Sequence, residues 1–179
     1  MTQMTRLTQP VTELDHVSGP RDAELVILEY GDYDCPHTRA ANAILKRLME
    51  ERPRRIALVF RHFPLRHIHQ NAEALSRLMH AITDPTRYWQ AHDALMSIRR
   101  MSLPVAEQAI AQLGFDLEAL RRDETAAATR VQRDLERGQT DGVHSTPSFF
   151  FNGEPWDGHY DIDTLRQRVE AAPARSGIS

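Results

Sequence analysis

Two short runs of aliphatic and aromatic residues, without polar interruptions, predict strands that are buried on both faces. They lie at residues 25–28 and 56–60. Between them, Pro36 is predicted to open a helix, because the first helical position needs no amide proton. Apolar residues follow at helical spacing until Pro53 ends the helix. Strand, helix and strand together predict one βαβ unit with parallel strands and a right-handed crossover.

The middle of the chain predicts a block of helices. From about residue 66 to 137, apolar residues recur at helical spacing and divide into four segments. The breaks between segments carry proline or glycine, as at Asp84-Pro85 and Gly114. The fourth helix is predicted to run from Leu117 and to end at Gly138, because glycine often terminates helices.

The spacing of apolar residues changes again in the last forty residues of the chain. The phenylalanine run at 148–151 predicts a strand, and Asn152-Gly153 predicts a tight hairpin turn into a returning strand at 154–157. A closing helix follows, with Leu165 and Val169 on its apolar face. The order βαβ, helical block, ββα predicts an α/β fold.

Length, charge and composition limit the classes of function. With 179 residues, the chain has room for one domain, which we place at 21–173, between an irregular N-terminal arm at 1–20 and a tail at 174–179. The net charge of −3 gives no basic field, so we expect no nucleic-acid partner. The N-terminus lacks the apolar core of a secretory signal, and no apolar run is long enough to span a bilayer. We therefore predict a cytoplasmic protein without membrane contact.

Cys35 is the only cysteine, so the chain cannot form an internal disulfide or a four-cysteine zinc site. If Pro36 opens the helix, Cys35 is the N-cap residue, and its sulfur faces unpaired amide groups and the positive end of the helix dipole. Both effects favour the thiolate, which is the nucleophilic form. A lone cysteine is more often a small buried hydrophobic residue. Here the polar neighbours Asp32, Asp34 and His37 favour an exposed, reactive thiol.

Several motifs, taken together, resemble the DsbA-like branch of the thioredoxin superfamily. Their order along the chain is Glu29 in a buried strand, Cys35-Pro36-His37 six residues later at the start of a helix, RHFPL at 61–65, a Trp-x-x-His-Asp-x-Leu helix from Trp89, and VHSTPSFF at 143–150. The resemblance covers residues 24–170. It implies a thioredoxin fold, βαβ followed by ββα, with the helical block inserted between the two halves.

The resemblance also implies roles for individual residues. Cys35 is expected to attack a disulfide, and the dipeptide Pro36-His37 to tune its thiolate and to lie against the substrate. Glu29 matches a partly buried acid beneath the site. Thr146 is expected to contact the substrate through its backbone, and Pro147 to form the cis-proline loop that faces the cysteine.

One position departs from the family motif. The second cysteine of Cys-x-x-Cys is Thr38 in this chain. A mixed disulfide on Cys35 must then be resolved by an outside thiol such as glutathione, or by the substrate itself. We therefore expect a monothiol oxidoreductase of protein or small-molecule disulfides, with glutathione as a co-substrate and no bound cofactor. The Thr38 hydroxyl can also donate a hydrogen bond to the Cys35 thiolate.

Other functions stay open at this point. A non-redox scaffold domain would hold a peptide or glutathione in the groove between Cys35 and Pro147 without turnover. A glutathione-using isomerase or transferase is a further alternative, although relatives of that type usually carry serine at the first motif position. A cysteine–histidine hydrolase would need a histidine held against Cys35 by a third group, and the resemblance argues against it.

The nine histidines raise the possibility of a metal site. His62, His67 and His69 lie near the end of the second strand, but the His-x-His pair lacks an evident third ligand, so no metal site is predicted. His92 falls on an apolar helical stripe and is expected to be a core histidine with hydrogen-bond partners. His144 is expected near the thiol, since it closely precedes the proline loop.

Overall fold

The computed structural model describes residues 4–171, and in that part of the chain five strands form one sheet. They are β1 (His16–Ser18), β2 (Leu25–Gly31), β3 (Ile56–His62), β4 (Ser148–Phe151) and β5 (Glu154–Trp156). Their order across the sheet is β1-β3-β2-β4-β5. β2 and β3 are parallel, whereas every other pair of neighbours is antiparallel. The predicted βαβ unit is confirmed, and both of its strands extend beyond the predicted bounds.

Seven helices lie within the described residues. They are α1 (Pro36–Glu51), α2 (Ala72–His80), α3 (Pro85–Met96), α4 (Leu103–Gln112), α5 (Leu117–Arg122), α6 (Glu124–Thr140) and α7 (Ile162–Ala171). The five helices α2 to α6 stand between β3 and β4, which confirms the inserted helical block. The predicted tail at 174–179 and the last two residues of the predicted domain lie outside the described residues.

The alternation of side chains along β2 separates two apolar layers. Leu25 and Ile27 point to one face, where α1 and α7 pack. Val26 and Leu28 point to the other face, where α6 and apolar residues of the N-terminal arm pack. A third apolar cluster fills the helical block and reaches Phe60 of β3. The carboxyl end of β2 and the start of α1 therefore lie where the two layers meet the third cluster.

The predicted hairpin is confirmed. Asn152 and Gly153 both have positive φ angles, 51° and 85°, as a two-residue turn between antiparallel strands requires. Phe151 pairs with Glu154 across the turn. The hairpin fixes the register of β4 and thereby the position of the segment that leads into it.

The N-terminal arm is more regular than predicted. Residues 16–18 form β1 and pair with β3, so the prediction of an irregular arm over residues 1–20 is wrong for this part. Further upstream, the amide of Thr8 donates to Asp141 Oδ1 at 2.8 Å, and its hydroxyl to the same atom at 2.7 Å. The arm is ordered because buried charged side chains hold it against the sheet.

The strongest of these contacts joins Arg61 of β3 to Asp15. Arg61 Nε lies 2.9 Å from Asp15 Oδ1, and Nη2 lies 3.1 Å from Oδ2, so the pair is bidentate. Both side chains are at most 1% exposed. The guanidinium also donates to the carbonyl of Pro10 at 3.1 Å and to the hydroxyl of Tyr30 at 3.2 Å. The arm and the sheet therefore share one buried ion pair.

Arg61→Met should destabilise the fold by about 3–5 kcal/mol, because it leaves the Asp15 carboxylate buried without its bidentate partner. Urea unfolding followed by circular dichroism measures the loss. The double variant Arg61→Met with Asp15→Asn removes the stranded charge and should recover part of it. A single variant as stable as the wild type would contradict the stabilising role of the pair.

Two predictions about the helical block are wrong in detail. The fourth predicted helix is interrupted at Asp123, which ends α5 and precedes α6 with a backbone outside the helical region. The later of these two helices, α6, does not end at Gly138 but continues to Thr140. Gly138 serves close packing instead, since a β carbon there would lie 2.6 Å from a ring carbon of Phe63. None of the helices within residues 4–171 is long and apolar enough to cross a membrane.

Candidate active site

Cys35 is the N-cap residue of α1, as predicted. Its backbone is extended, with φ −74° and ψ 119°, and Pro36 begins the helix. The amide of Cys35 donates to the carbonyl of Asp32 at 3.0 Å. The side chain makes no capping hydrogen bond. The sulfur therefore lies at the positive end of a sixteen-residue helix whose first amides have no intrahelical acceptors.

The prediction of an exposed thiol is wrong, because Cys35 is only 3% exposed. Its cover is the loop that precedes β4. Cys35 Sγ lies 3.4 Å from the carbonyl oxygen of Thr146, which accepts a hydrogen bond from the thiol. The peptide bond between Thr146 and Pro147 is cis. The Thr146 hydroxyl is itself buried and has no hydrogen-bond partner in the part of the chain that the structure describes.

The dipeptide after the cysteine is exposed, in contrast to the residue that follows it. Pro36 and His37 both face solvent, and His37 Nδ1 lies 3.1 Å from the hydroxyl of Tyr160. Thr38 is fully buried, and its Oγ1 accepts a hydrogen bond from the amide of Asp32 at 3.3 Å. The predicted hydrogen bond from Thr38 to the Cys35 sulfur is not among the contacts that the structure contains. Thr38 instead helps to fix the loop between β2 and α1.

Glu29 lies in β2 between Phe60 of β3 and Phe149 of β4. It follows Leu25 and Ile27 at even spacing, so its side chain points to the face that α1 covers. The carboxyl is fully rather than partly buried, and neither of its oxygens has a hydrogen-bond partner among residues 4–171. Burial raises the pKa of Glu29 from 4.5 to about 8.

Two aspartates join the loop before the cysteine to the segment that leads into the helical block, a role not predicted from the sequence. Asp32 Oδ2 accepts from the amide of Leu65 at 3.0 Å and lies 2.8 Å from His69 Nδ1. Asp34 Oδ2 accepts from the amide and the side chain of Asn71, at 2.9 Å and 3.2 Å. Aspartates shortly before a helix start are the available sequence signal, since their side chains readily accept from nearby amides.

A buried hydrogen-bond chain lies behind this loop. His92 Nδ1 is 2.8 Å from the hydroxyl of Tyr33, and His92 Nε2 is 3.1 Å from Asn42 Oδ1 in α1. The Tyr33 hydroxyl also lies 3.2 Å from that of Tyr88. The prediction of a core histidine with satisfied hydrogen bonds is confirmed. Burial lowers the pKa of His92 to about 3, so the imidazole is neutral.

The remaining candidate histidines are dispersed. His62 is buried and lies 3.0 Å from the hydroxyl of Tyr88, whereas His67 is exposed. His144 is exposed and borders a surface hollow together with Phe63 and His67. Among residues 4–171, no three histidine, cysteine or acidic side chains are grouped closely enough to hold a metal ion.

Comparison with known sequences identifies related proteins. The sequence model of the thioredoxin family matches residues 11–171. The Na⁺/H⁺ antiporter NhaA 1 of Salinispora arenicola is 32% identical over 161 residues, which are 88% of this chain and 24% of the antiporter. The NhaA antiporter of Nitrosospira multiformis is 34% identical over 169 residues, which are 91% of this chain and 27% of that protein. The chain thus spans about a quarter of the length of these curated relatives.

Solved structures share the fold over nearly the whole chain. A thioredoxin-like oxidoreductase from Silicibacter pomeroyi superposes with a TM-score of 0.80 at 24% identity and covers 90% of this chain and 93% of its own. BdbD from Bacillus subtilis gives a TM-score of 0.77 at 19% identity, over 94% and 97% of the two chains. The thiol-disulfide exchange protein α-DsbA2 from Wolbachia pipientis gives 0.75 at 19% identity, over 87% and 86%.

Proposed function

The chain belongs to the thioredoxin family, and we propose that it is a thiol–disulfide oxidoreductase that acts through the single thiol of Cys35. The observation that carries this proposal is the position of the sulfur. It lies at the N-terminus of α1 and 3.4 Å from the Thr146 carbonyl, next to the cis peptide bond of Pro147. The thiolate is the form that attacks disulfides, and the positive end of a helix dipole attracts negative charge. The Silicibacter protein is a thioredoxin-like oxidoreductase and the Wolbachia protein a thiol-disulfide exchange protein, and both descriptions agree with this chemistry.

In the proposed reaction, the Cys35 thiolate attacks the glutathione sulfur of a mixed disulfide between glutathione and a substrate thiol. A disulfide forms between Cys35 and glutathione while the original sulfur–sulfur bond breaks. Its electron pair leaves with the substrate sulfur, which takes up a proton. A second glutathione, as its thiolate, then attacks the adduct and displaces Cys35. The products are the free substrate thiol, glutathione disulfide and the regenerated enzyme thiolate.

Glutathione enters this proposal because the chain has no second thiol. Cys35 is the only cysteine, so resolution of the adduct needs an outside thiol or a second thiol on the substrate. Protein disulfides with a nearby substrate thiol can therefore be rearranged by the same first step. Glutathione is abundant in reducing compartments, which agrees with the predicted cytoplasmic location; that location stays a prediction.

The surrounding residues have distinct proposed roles. The exposed Pro36-His37 dipeptide borders the approach to the sulfur, and the Thr146-Pro147 loop offers backbone groups to an extended substrate segment. Glu29 has a pKa of about 8 because it is buried, so it is mostly uncharged at neutral pH. An uncharged carboxyl beneath the site adds no negative charge that would oppose the thiolate.

One observation favours the non-redox alternative. Cys35 is only 3% exposed and its sulfur contacts the Thr146 carbonyl, so little of this residue's surface is open to a substrate sulfur. In a scaffold domain the same contact would stay closed, and the groove would bind a peptide or glutathione without turnover. The two functions therefore differ in whether Cys35 exchanges with disulfides at all.

Glutathione disulfide tests this difference directly. We expect intact-protein mass spectrometry to show one glutathione bound per chain through Cys35, the only cysteine, after incubation with glutathione disulfide at neutral pH. Reduced glutathione should then remove the adduct. An unmodified protein after incubation under conditions that modify a model thiol would contradict the proposed reaction and favour the scaffold function.

Thr38→Cys should convert the chain from monothiol to dithiol chemistry. The introduced thiol stands at the family's second motif position and attacks a Cys35 adduct from within the chain, at an effective concentration in the mM range or above. The glutathionylated fraction at steady state should fall at least about 10-fold, while a fully oxidised form without free thiols accumulates. Mass spectrometry after alkylation measures both species.

Thr38→Ser is the matched control, since it keeps a hydroxyl and adds no thiol. It should retain the adduct at the wild-type level. A Thr38→Cys variant that accumulates the adduct to the same extent as Thr38→Ser would show that position 38 cannot reach the Cys35 sulfur.

A further inference from the structure

Asp32 contacts the loop that carries the nucleophile through both its main chain and its side chain. The main chain of Asp32 contacts both ends of the active motif: its carbonyl accepts from the Cys35 amide at 3.0 Å, and its amide donates to Thr38 Oγ1 at 3.3 Å. Its carboxylate is completely buried and accepts from the amides of Asp34 and Leu65, at 2.9 Å and 3.0 Å. Any change in the position of Asp32 is therefore passed on to Cys35.

His69 provides a side-chain contact to this carboxylate from the segment that links β3 to α2. Its Nδ1 lies 2.8 Å from Asp32 Oδ2, and its side chain is 18% exposed. Asp32 Oδ2 is also the acceptor for the Leu65 amide, so one oxygen joins the nucleophile loop to two points of the linking segment. The start of the inserted helical block thus reaches the loop that carries Cys35.

We propose that His69 is a positioning residue for the reaction of Cys35. By donating to Asp32, the imidazole holds the carbonyl that binds the Cys35 amide, and so keeps the sulfur at the N-terminus of α1 and against Thr146. Displacement of a reacting group by about 1 Å can lower a rate by about 100-fold. The proposal rests on the proposed reaction, but its structural part can be measured without turnover.

Two substitutions separate the hydrogen bond from the rest of the side chain. His69→Leu replaces the imidazole with an apolar side chain of moderate size and removes the Nδ1 donor. His69→Asn retains a donor, because the asparagine Nδ2 is bonded to the γ carbon as the histidine Nδ1 is, and it can therefore reach Asp32 Oδ2. If His69→Asn behaves like the wild type and His69→Leu does not, the hydrogen bond to Asp32 is the feature of His69 that positions Cys35.

Amide hydrogen exchange of the 179-residue chain is the first readout. The amides of Cys35 and Leu65, which both donate to Asp32, should exchange at least about 10-fold faster in His69→Leu than in the wild type. In His69→Asn they should stay within about 3-fold of the wild type. Unchanged exchange in His69→Leu, or equal acceleration in both variants, would overturn the proposal.

Turnover of a glutathione mixed disulfide is the second readout. The value of kcat/KM should fall about 10- to 100-fold in His69→Leu and be largely restored in His69→Asn. A wild-type protein without turnover would count against the proposed function, whereas the exchange pattern would still decide the role of His69. Retention of wild-type kcat/KM in an active His69→Leu enzyme would overturn the positioning role.

Asp84→Ala is the control for a general loss of stability. Asp84 caps α3 by accepting from the amide of Arg87 at 2.8 Å, and its loss should cost about 0.5–2 kcal/mol without touching the nucleophile loop. Exchange at Cys35 should be faster in His69→Leu than in an Asp84→Ala protein of similar stability. Equal exchange in the two would attribute the effect to global opening and overturn the proposal.

Discussion

Cys35→Ser should lower the glutathione-dependent reduction of a mixed disulfide to the uncatalysed rate, a loss of at least about 1000-fold in kcat/KM. Serine has nearly the same size, but its oxygen cannot form the sulfur–sulfur bond that each half of the reaction needs. Because Cys35 is the only cysteine, no other thiol in the chain can replace it. The measurement is the release of a substrate thiol at fixed glutathione concentration, with the rate without enzyme subtracted.

The same assay distinguishes the main alternatives. Thr38→Ser should keep the activity, because the hydroxyl that accepts from the Asp32 amide is preserved. Equal turnover by the wild type and Cys35→Ser would exclude Cys35 as the nucleophile. Absence of turnover in the wild type, together with binding of glutathione or a peptide, would establish a thioredoxin-fold scaffold. A glutathione-using transferase or isomerase would instead keep its activity in Cys35→Ser.

The position of Cys35 could be predicted because it depends on residues next to it in the sequence. Within a helix, proline is well accommodated only in the first turn, and Pro36 therefore places the preceding residue at the cap. The turn at Asn152-Gly153 was equally predictable, since two positive φ angles are a local demand. Both features were recognised without reference to any residue far along the chain.

The burial of the sulfur could not be predicted in this way. Its cover comes from Thr146, which is 111 positions further along the chain. The polar residue Asp32, which favoured an exposed site in the sequence analysis, is itself fully buried because Leu65 and His69 supply its hydrogen bonds. A polar residue indicates the need for partners, and only the fold shows whether these are water or protein.

Contacts between residues far apart in the sequence also explain where the predicted fold was wrong. The N-terminal arm has little apolar periodicity, but Asp15 meets Arg61 across 46 positions and the arm becomes part of the sheet. Gly138 stands inside a helix because Phe63, from another element, occupies the space that a β carbon would need. In both cases a neighbour far along the chain decides the local structure, and the spacing of apolar residues does not show it.

Between pH 4.5 and pH 8.5, the unfolding free energy of Glu29→Gln should rise relative to that of the wild type by on the order of 3–5 kcal/mol. Below pH 4.5 the carboxyl is protonated in the folded and in the unfolded chain. Between pH 4.5 and about 8 the unfolded chain has lost this proton while the buried carboxyl keeps it. Stability therefore falls with rising pH, by about 1.4 kcal/mol per unit, until the folded carboxyl also ionises near pH 8.

Glutamine has the shape of the glutamate and does not titrate, so the difference in unfolding free energy between the two proteins isolates this one group. The amide at position 29 is also buried without partners, which adds a cost that does not vary with pH. The buried histidines are common to both proteins, and their contributions cancel. Urea unfolding at intervals from pH 4.5 to 8.5 measures the difference, and Glu50→Gln, at an exposed position of α1, should run parallel to the wild type. A difference between Glu29→Gln and the wild type that stays flat over this range would mean that the folded chain ionises Glu29 as readily as the unfolded chain does.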